Sequence, residues 1–391
     1  MKRLTFIVSI LASFSFLLIV CRKEPPVDTS LFTVEVIDGV RHIHNHAPQF
    51  GNTPGAHLEL VRQIGKLESK EEKDILYDPA DTARLPNGDT LILEGSGCAV
   101  KRYDKNGGYI SSFGQKGQGP GDFLAPFCIR LDPKGDRLYV ADTRISVFSP
   151  DGSYIGGFEP KRIAIFGSIG AQYRTSGMAV LSGPRVVLPS HPEIWIDSGE
   201  NKLLSLYDEK GEILRSFGAA EFHDDPQLTL NANIPFFAAD SGDNIYIAYA
   251  HQNRINKYAP DGQWIFVSDR PLPYEVKNVL KTEIFKSGDM EREFSWPSVS
   301  SVTKGIAIDH KNRIWVLTYL KQPNRFLTFD EGENLTECYE FDVFDKDGVL
   351  LFMMPFPDVR FVDFSICGDR LYLIDSQDES CVYEYRIVDR K

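Results

Sequence analysis

The sequence predicts an all-β fold built from repeats of one four-stranded unit. The clearest copy spans residues 130–158, where short runs of β-branched and aromatic residues alternate with turns. Two of those turns, at Lys134-Gly135 and Asp151-Gly152, place glycine where a tight hairpin requires a positive φ. Variants of the unit recur about every 45 residues, and four strands at such a period are typical of a β-propeller.

Six copies of the unit can be followed along the chain. The other five span residues 85–114, 178–218, 236–266, 305–352 and 361–388. A single blade cannot bury both of its faces, so the six must close into a ring. The sixth copy stops one strand short. We therefore expect a strand within residues 31–45 to supply the missing outer strand and remove the exposed edge.

The sequence pattern of the repeat is similar to that of a known family. Residues 117–123, GQGPGDF, are followed by Pro126, by Asp132 and by the segment LYVAD at 138–142. This pattern closely resembles the blades of the NHL-type six-bladed propellers, and the resemblance covers residues 80–388. It implies the fold and says little about activity, because the fold hosts lyases, lactonases and pure binding modules.

The resemblance also implies roles for two conspicuous motifs. The glycine-rich segment 117–121 would be the crossing between two blades rather than a nucleotide-binding loop. Asp142 would accept hydrogen bonds from the backbone of its own loop.

The N-terminus is typical of a bacterial targeting segment. Lys2 and Arg3 precede an apolar run that is shorter than a typical membrane span. The sequence LIVC at 18–21 resembles a lipoprotein cleavage box with Cys21 as the acylated residue, although Val20 stands where a small residue is usual. A plain signal peptide or a retained apolar anchor is the alternative.

These features predict the domain organisation and the location. Residues 1–21 are expected to be the signal segment, 22–30 a polar tether, and 31–391 the propeller with an insertion at 270–304. A lipid anchor would hold the chain in the cell envelope, on the outer or plasma membrane and facing away from the cytoplasm.

Composition excludes some function classes. The chain has 391 residues, a formal net charge of −12 and no long run of Lys or Arg, which argues against nucleic acid as a partner. Five cysteines follow Cys21, an odd number with no short metal-ligand spacing, and we expect buried structural thiols. They are Cys98, Cys128, Cys338, Cys367 and Cys381.

The strand order predicts which face binds. The tight turns share one face of the ring, whereas the second-to-third connections and the crossings between blades share the other, here called the long-loop face. Long connections occur there at 189–202, 270–304 and 318–337. Long loops on a rigid scaffold commonly carry function, so binding is expected on the long-loop face.

Two segments outside the repeat show helix-like patterns. Within the insertion, the apolar spacing of residues 273–285 suits one face of a helix, either a lid over the channel mouth or a piece packed on the rim. Residues 58–73 carry helix formers and predict a short helix or a loop.

Four candidate ligand-binding residues follow from the strand order. Arg130, Lys304 and Asp363 lie on innermost strands, which line the axial channel of a propeller. Arg144 lies in a loop of the long-loop face. The alternative for such charges is a solvated or paired side chain.

Two further candidates come from the loop at 318–337. Tyr319 and Arg325 belong to residue types that are enriched at binding hot spots. We expect them to project from the ring and to contact a partner.

No catalytic residue, metal ligand or cofactor is predicted. Neither a Gly-x-Ser-x-Gly elbow nor a phosphate-binding glycine loop occurs. His42, His44 and His46 alternate and would share one face of a strand, where they could hold a metal or simply form a polar face far from the axis.

The predicted function is a membrane-tethered binding module for a protein, a peptide or a glycan. Two alternatives remain: a propeller hydrolase or lyase with a metal in the channel, and a structural component of the envelope.

Overall fold

The computed structural model describes residues 30–66, 71–161, 177–191, 198–287, 290–324, 332–361, 363–376 and 379–390. The signal segment with Cys21, nearly all of the tether, and Arg325 lie outside the described residues. The described chain forms six four-stranded antiparallel blades arranged as a propeller, which confirms the predicted fold.

The strands follow one another in a regular order. Before the first blade come β1 (Phe32–Ile37), β2 (Val40–Asn45) and β3 (Ala56–Ile64). Blade 1 contains β4 (Pro79–Arg84), β5 (Thr90–Glu94), β6 (Ala99–Tyr103) and β7 (Tyr109–Phe113). Blade 2 contains β8 (Cys128–Leu131), β9 (Leu138–Ala141), β10 (Ile145–Phe148) and β11 (Tyr154–Phe158). Blade 3 contains β12 (Ala179–Leu181), β13 (Arg185–Pro189), β14 (Leu204–Tyr207) and β15 (Ile213–Phe217).

The second half of the ring adds a helix and an inserted hairpin. A short helix, α1 (Pro226–Ala232), precedes blade 4, which contains β16 (Pro235–Ala239), β17 (Ile245–Tyr249), β18 (Gln252–Tyr258) and β19 (Trp264–Ser268). The inserted hairpin consists of β20 (Asn278–Ser287) and β21 (Met290–Val299). Blade 5 contains β22 (Thr303–Ile308), β23 (Ile314–Tyr319), β24 (Tyr339–Phe344) and β25 (Leu350–Pro355). Blade 6 contains β26 (Asp363–Cys367), β27 (Arg370–Asp375) and β28 (Cys381–Asp389). Single turns of 3₁₀-helix lie at Glu72–Asp74 and Leu335–Glu337.

The apolar core lies between the blades. Each of the six buried clusters in the described chain joins two adjacent blades, and the inner strands contact one another in turn around the axis. The smallest cluster, with seven buried residues, joins blade 6 to blade 1 and includes Ile64 and Tyr372. Burial of apolar area drives such packing, and this closing seam has the fewest buried apolar side chains of the six junctions in the described chain.

The predicted tight turns are present. Gly152 adopts a φ of +93° in the last hairpin of blade 2. At Gly211 the φ is +78°, and a Cβ would stand 2.3 Å from the carbonyl oxygen of Glu159. Both positions therefore require glycine.

The strand that closes the ring is not the one expected. β3 pairs antiparallel with β28 and becomes the outer strand of blade 6, with Ile64 opposite Val382. An N-terminal strand does close the ring, but the prediction that residues 31–45 would do so is wrong. So is the prediction of a helix or loop over residues 58–73, since Ala56–Ile64 is extended. Pairing with the open edge of β28 overrides the local helix propensity.

Residues 31–45 take a different place. They form the β1–β2 hairpin, and β2 adds in parallel to β19, which extends blade 4 to six strands. The chain then passes the outer strand of blade 5, where the amide of Gln49 donates to the carbonyl of Leu350 at 3.0 Å. The N-terminal segment therefore runs along the outer edges of blades 4, 5 and 6.

The insertion forms strands rather than a helix. The helix predicted over residues 273–285 is wrong, because β20 pairs along its whole length with β21. Alternate residues in this segment face opposite sides of a two-stranded ribbon, and the apolar residues lie on both sides. Among the residues that the structure describes, no helix is long and apolar enough to cross a membrane.

Candidate functional site

Four charged side chains meet at the axis of the ring. They come from four consecutive inner strands: Lys304 from β22, Asp363 from β26, Asp81 from β4 and Arg130 from β8. Inner strands begin at the long-loop face, and Asp363 and Lys304 are the first and second residues of theirs. The cluster therefore lies toward the long-loop end of the channel, and we call it the channel mouth.

Two members of the channel mouth are already paired. Arg130 forms an ion pair with Asp81, and its guanidinium also donates to the carbonyl of Ile129 at 2.7 Å. Asp81 accepts further hydrogen bonds from the amides of Ile129 and Thr82, at 2.9 and 2.8 Å. These bonds lock the pair across the junction of blades 1 and 2, while 28% of the Arg130 side chain remains accessible.

The other two members are not paired. Lys304 makes no hydrogen bond or ion pair within the described ranges, and Asp363 accepts a hydrogen bond from the amide of Phe364. Asp363 forms no ion pair with any described residue, so its carboxylate and the Lys304 ammonium stand farther apart than direct contact. Lys304 and Asp363 thus both belong to the channel mouth without pairing with each other.

Burial governs the protonation of these groups. Burial raises the pKa of Asp363 well above its usual range, and the charge of Asp81 adds to this, while Arg130 and Lys304 oppose it. Burial also lowers the pKa of Lys304, against the attraction of Asp363. For Arg130, burial alone would lower the pKa, but the negative charge of Asp81 raises it, so the guanidinium stays charged.

Neutral polar groups of the same inner strands lie beside these charges. The hydroxyls of Thr82 and Ser365 share a buried hydrogen bond of 2.6 Å between blades 1 and 6. Burial raises the pKa of the Cys128 thiol well above its ordinary value and that of Cys367 to about 11. Neither thiol is therefore a thiolate at neutral pH, which is the form a nucleophile or metal ligand needs. All five cysteines of the propeller are free thiols, and four of them are buried as predicted, whereas Cys367 is half-buried.

The arrangement suits binding. It offers one ammonium, one carboxyl group that can donate or accept, and a partly accessible guanidinium. Within the described part of the chain, no group of three or more His, Cys, Asp or Glu side chains is placed to hold a metal ion.

Arg144 has a structural task. Its guanidinium donates to the carbonyls of Gln118, Gly119 and Asp122 in the crossing between blades 1 and 2. Asp142 accepts from the amides of Leu124 and Ala125, at 2.6 and 2.9 Å. Asp142 therefore bonds the preceding crossing and not its own loop. The side chains of Arg144 and Asp142 therefore both stabilise this crossing.

The placement expected for Tyr319 is wrong. It is the last residue of β23, only 3% exposed, and its ring packs 5.0 Å from that of Tyr339. The apolar cluster between blades 5 and 6 holds it in the core. Arg325, the other candidate from this loop, lies outside the described residues.

The three N-terminal histidines do not converge. His44 lies between Asp269, at 2.6 Å from Nδ1, and Glu35, at 3.1 Å from Nε2. The hydrogen bond to Asp269 raises the pKa of His44, and the bond to Glu35 adds to this. His46 contacts Thr33 instead, at 3.4 Å. The imidazole of His44 thus links the hairpin to blade 4.

Sequence reasoning missed a buried ionic network at the root of the insertion. The Nε atom of Arg270 lies 2.9 Å from Asp342 and 3.0 Å from the Thr318 hydroxyl, and Nη2 lies 2.9 Å from the Thr303 hydroxyl. The Nη1 atom of Arg270 and the Oδ1 atom of Asp342 are buried without a hydrogen-bond partner in the described chain. The alternation of Glu340 and Asp342 within the apolar strand YEFDVF was the available signal.

A second acid belongs to this network. Burial raises the pKa of Glu340 to about 8, the charge of Asp342 adds to this, and Arg270 opposes it. One cation thus serves two neighbouring carboxyl groups.

The fold and this site together define the class of the protein, a six-bladed β-propeller with charged groups at the long-loop end of its axis. No protein-family model matches the sequence, and no curated protein matches it significantly.

Two solved structures from Bacteroides share the fold. One is a member of the DUF4221 family from Bacteroides vulgatus, with a TM-score of 0.54 and 12% identity over 86% of this chain and 99% of that one. The other is a proposed exported protein from Bacteroides fragilis, with a TM-score of 0.51 and 12% identity over 90% of this chain and 100% of that one. Likeness at this level of identity shows the fold alone.

Proposed function

We propose that this chain is an extracytoplasmic binding module of the NHL propeller type, with its binding site at the channel mouth. The observation that carries the proposal is the separation of Lys304 from Asp363. Lys304 is half-buried and Asp363 is buried, and an ionisable group that is removed from water without a partner destabilises the fold. A ring that used these residues only for stability would pair them, so we infer that a ligand supplies the missing partners.

The chemistry of the two groups sets the ligand class. The Lys304 ammonium favours an anionic group, and the raised pKa of Asp363 makes its carboxyl group a donor as well as an acceptor. A carboxylate beside a hydroxyl or an ammonium satisfies both. The carboxyl end of a peptide and a uronic acid unit of a glycan both carry such groups.

The channel mouth can be tested with two near-isosteric variants. Panels of short peptides and of uronic-acid oligosaccharides would be screened by thermal shift, and any hit measured by calorimetry. We expect Lys304→Met to weaken binding by at least roughly tenfold, since it removes a charge-assisted contact. Asp363→Asn should weaken binding as well, since an amide presents its donor and acceptor differently from a carboxyl group. Lys134→Met is the matched control, because Lys134 is an exposed lysine in a tight turn on the opposite face.

Two outcomes would contradict the proposed binding site. Binding that survives Lys304→Met and Asp363→Asn but is lost on altering Lys210 and Gly211 would place the site on the tight-turn face. Failure of every peptide and glycan in the panels would argue against this ligand class.

We further propose that Cys21 tethers the module to a membrane. The proposal is supported by the charged start, the apolar run and the LIVC sequence that ends at Cys21. Cys21→Ala should abolish acylation and release the chain from the membrane fraction on cell fractionation, while metabolic labelling with palmitate should mark only the unaltered chain. A variant that stays in the membrane fraction would identify the uncleaved apolar run as the anchor.

A further inference from the structure

The β20–β21 hairpin is a separate feature of the long-loop face. It lies in the crossing between blades 4 and 5, and ten residues of each strand are paired. Its base is fixed to blade 4, where the side-chain amide of Asn278 donates to the carbonyl of His251 at 2.8 Å. α1 lies against it. The hairpin is thus rooted in the ring and extends beyond the blades.

One face of this hairpin is unusually apolar. Directly paired residues of an antiparallel ribbon share a face, so four large side chains fall on the same side. They are Val279, Phe285, Phe294 and Trp296, with exposures of 46, 58, 49 and 37%. A two-stranded ribbon is marginally stable in water without a second layer. A cluster of exposed apolar side chains of this kind marks an interaction surface.

Three charges share this face, and two of them, Lys281 and Glu283, are in a self-complementary order, while Arg292 would lie over Ser298 of the second copy. Lys281 is paired with Trp296, and at the next level Glu283 is paired with Phe294. A twofold axis can stack a second copy face to face and antiparallel on this hairpin. The axis would run across both strands, between the pair Lys281–Trp296 and the pair Glu283–Phe294. Lys281 of one copy would then lie over Glu283 of the other, and Trp296 over Phe294. At the ends, Val279 would lie over Phe285. Each contact would occur twice.

We propose that this face is a dimer interface between two copies of the chain. Its size predicts a weak association. Ten residues at about 3.3 Å each, over a width of about 10 Å, give a footprint of roughly 330 Å² per copy. A stable interface buries about 800 Å² per partner. If Cys21 anchors the chain as proposed above, confinement to a surface would raise the local concentration and favour the dimer.

Charge argues against a lipid surface as the occupant. The hairpin sequence holds three bases, Lys281, Lys286 and Arg292, against four acids, Glu283, Asp289, Glu291 and Glu293, and the whole chain is strongly acidic. Anionic headgroups attract an excess of basic residues, which this ribbon lacks.

The test is sedimentation equilibrium of the mature chain from Arg22, which retains every described strand. We expect a reversible dimer with a Kd of order 10–100 μM, in keeping with the small footprint. Lys281→Glu and Glu283→Lys should each weaken it by at least ~10-fold, because like charges would then face each other. The double variant should restore it. Phe294→Ser should abolish it, and Ile155→Ser, an exposed residue of β11, should leave it unchanged.

Three outcomes would overturn the proposal. The first is a chain that stays monomeric at several hundred μM, well above the expected Kd. The second is a double variant as weak as the single ones. The third is a monomer that binds phosphatidylglycerol vesicles and loses that binding in Phe294→Ser, which would assign the face to a membrane.

Discussion

Replacing Ile64 by aspartate will destabilise the ring severely, whereas the same change at Leu60 in the same strand will not. Ile64 is 3% exposed and packs in the closing cluster with Ile92 and Tyr372. Leu60 is 60% exposed on the outer side of β3. A carboxylate at position 64 would lose the apolar contacts and bury a charge, at a cost of about 4 kcal/mol or more.

The expected readout is a fall of roughly 5–10 °C in Tm for Ile64→Asp, given the size of the chain. Leu60→Asp should change Tm by about 2 °C or less, since exposed substitutions usually cost little. An equal fall in Tm for both variants would mean that the experiment measures strand propensity and not the packing between blades 6 and 1. An unchanged Tm in Ile64→Asp would show that β3 does not hold the ring closed.

Removing the charge of Arg270 will produce the second large effect. Arg270→Met leaves Asp342 and Glu340 beside each other without a cation in a buried site. Breaking a buried pair by deleting one partner costs about 3–5 kcal/mol. The triple variant with Asp342→Leu and Glu340→Gln should recover most of the loss, because no acid then remains unpaired.

The stability lost in Arg270→Met should depend on pH, and the direction follows from the pKa of the two acids. A carboxyl group whose folded-state pKa is raised contributes stability below its unfolded pKa and loses it as pH rises through the folded value. For Glu340 this window runs from the ordinary glutamate range to about 8. Without Arg270 the pKa of both acids rises further, so the deficit of Arg270→Met should be larger at pH 9 than at pH 5.

Urea denaturation at both pH values would check this. Arg41→Met is the matched control, because Arg41 pairs with Asp347 at 3.7 Å on the surface and should cost about 1 kcal/mol or less at either pH. A deficit of Arg270→Met that is independent of pH would mean that lost packing, not charge, is responsible.

The candidate site was only partly accessible to sequence reasoning. The positions of Arg130, Lys304 and Asp363 near the axis follow from the repeat, which assigns each to an innermost strand. Which of these side chains pair with a partner does not follow from the repeat. Asp81 is 49 residues from Arg130 and meets it only when blades 1 and 2 pack side by side. The separation of Lys304 from Asp363 likewise depends on how blades 5 and 6 meet.

The sequence by itself determined the number of blades, the four strands of each and the tight turns. These features are local: alternating side chains and a glycine with positive φ, such as Gly152, act within a few residues. The tertiary structure alone decided that β3 closes the ring, that residues 32–45 extend blade 4, and that the insertion is a hairpin. For β3 and β2 the reason is that a strand at an edge is selected by the unpaired backbone it meets, and that partner lies hundreds of residues away in the chain. For the insertion, the apolar spacing suited a helix, and pairing of β20 with the adjacent β21 made it a hairpin instead.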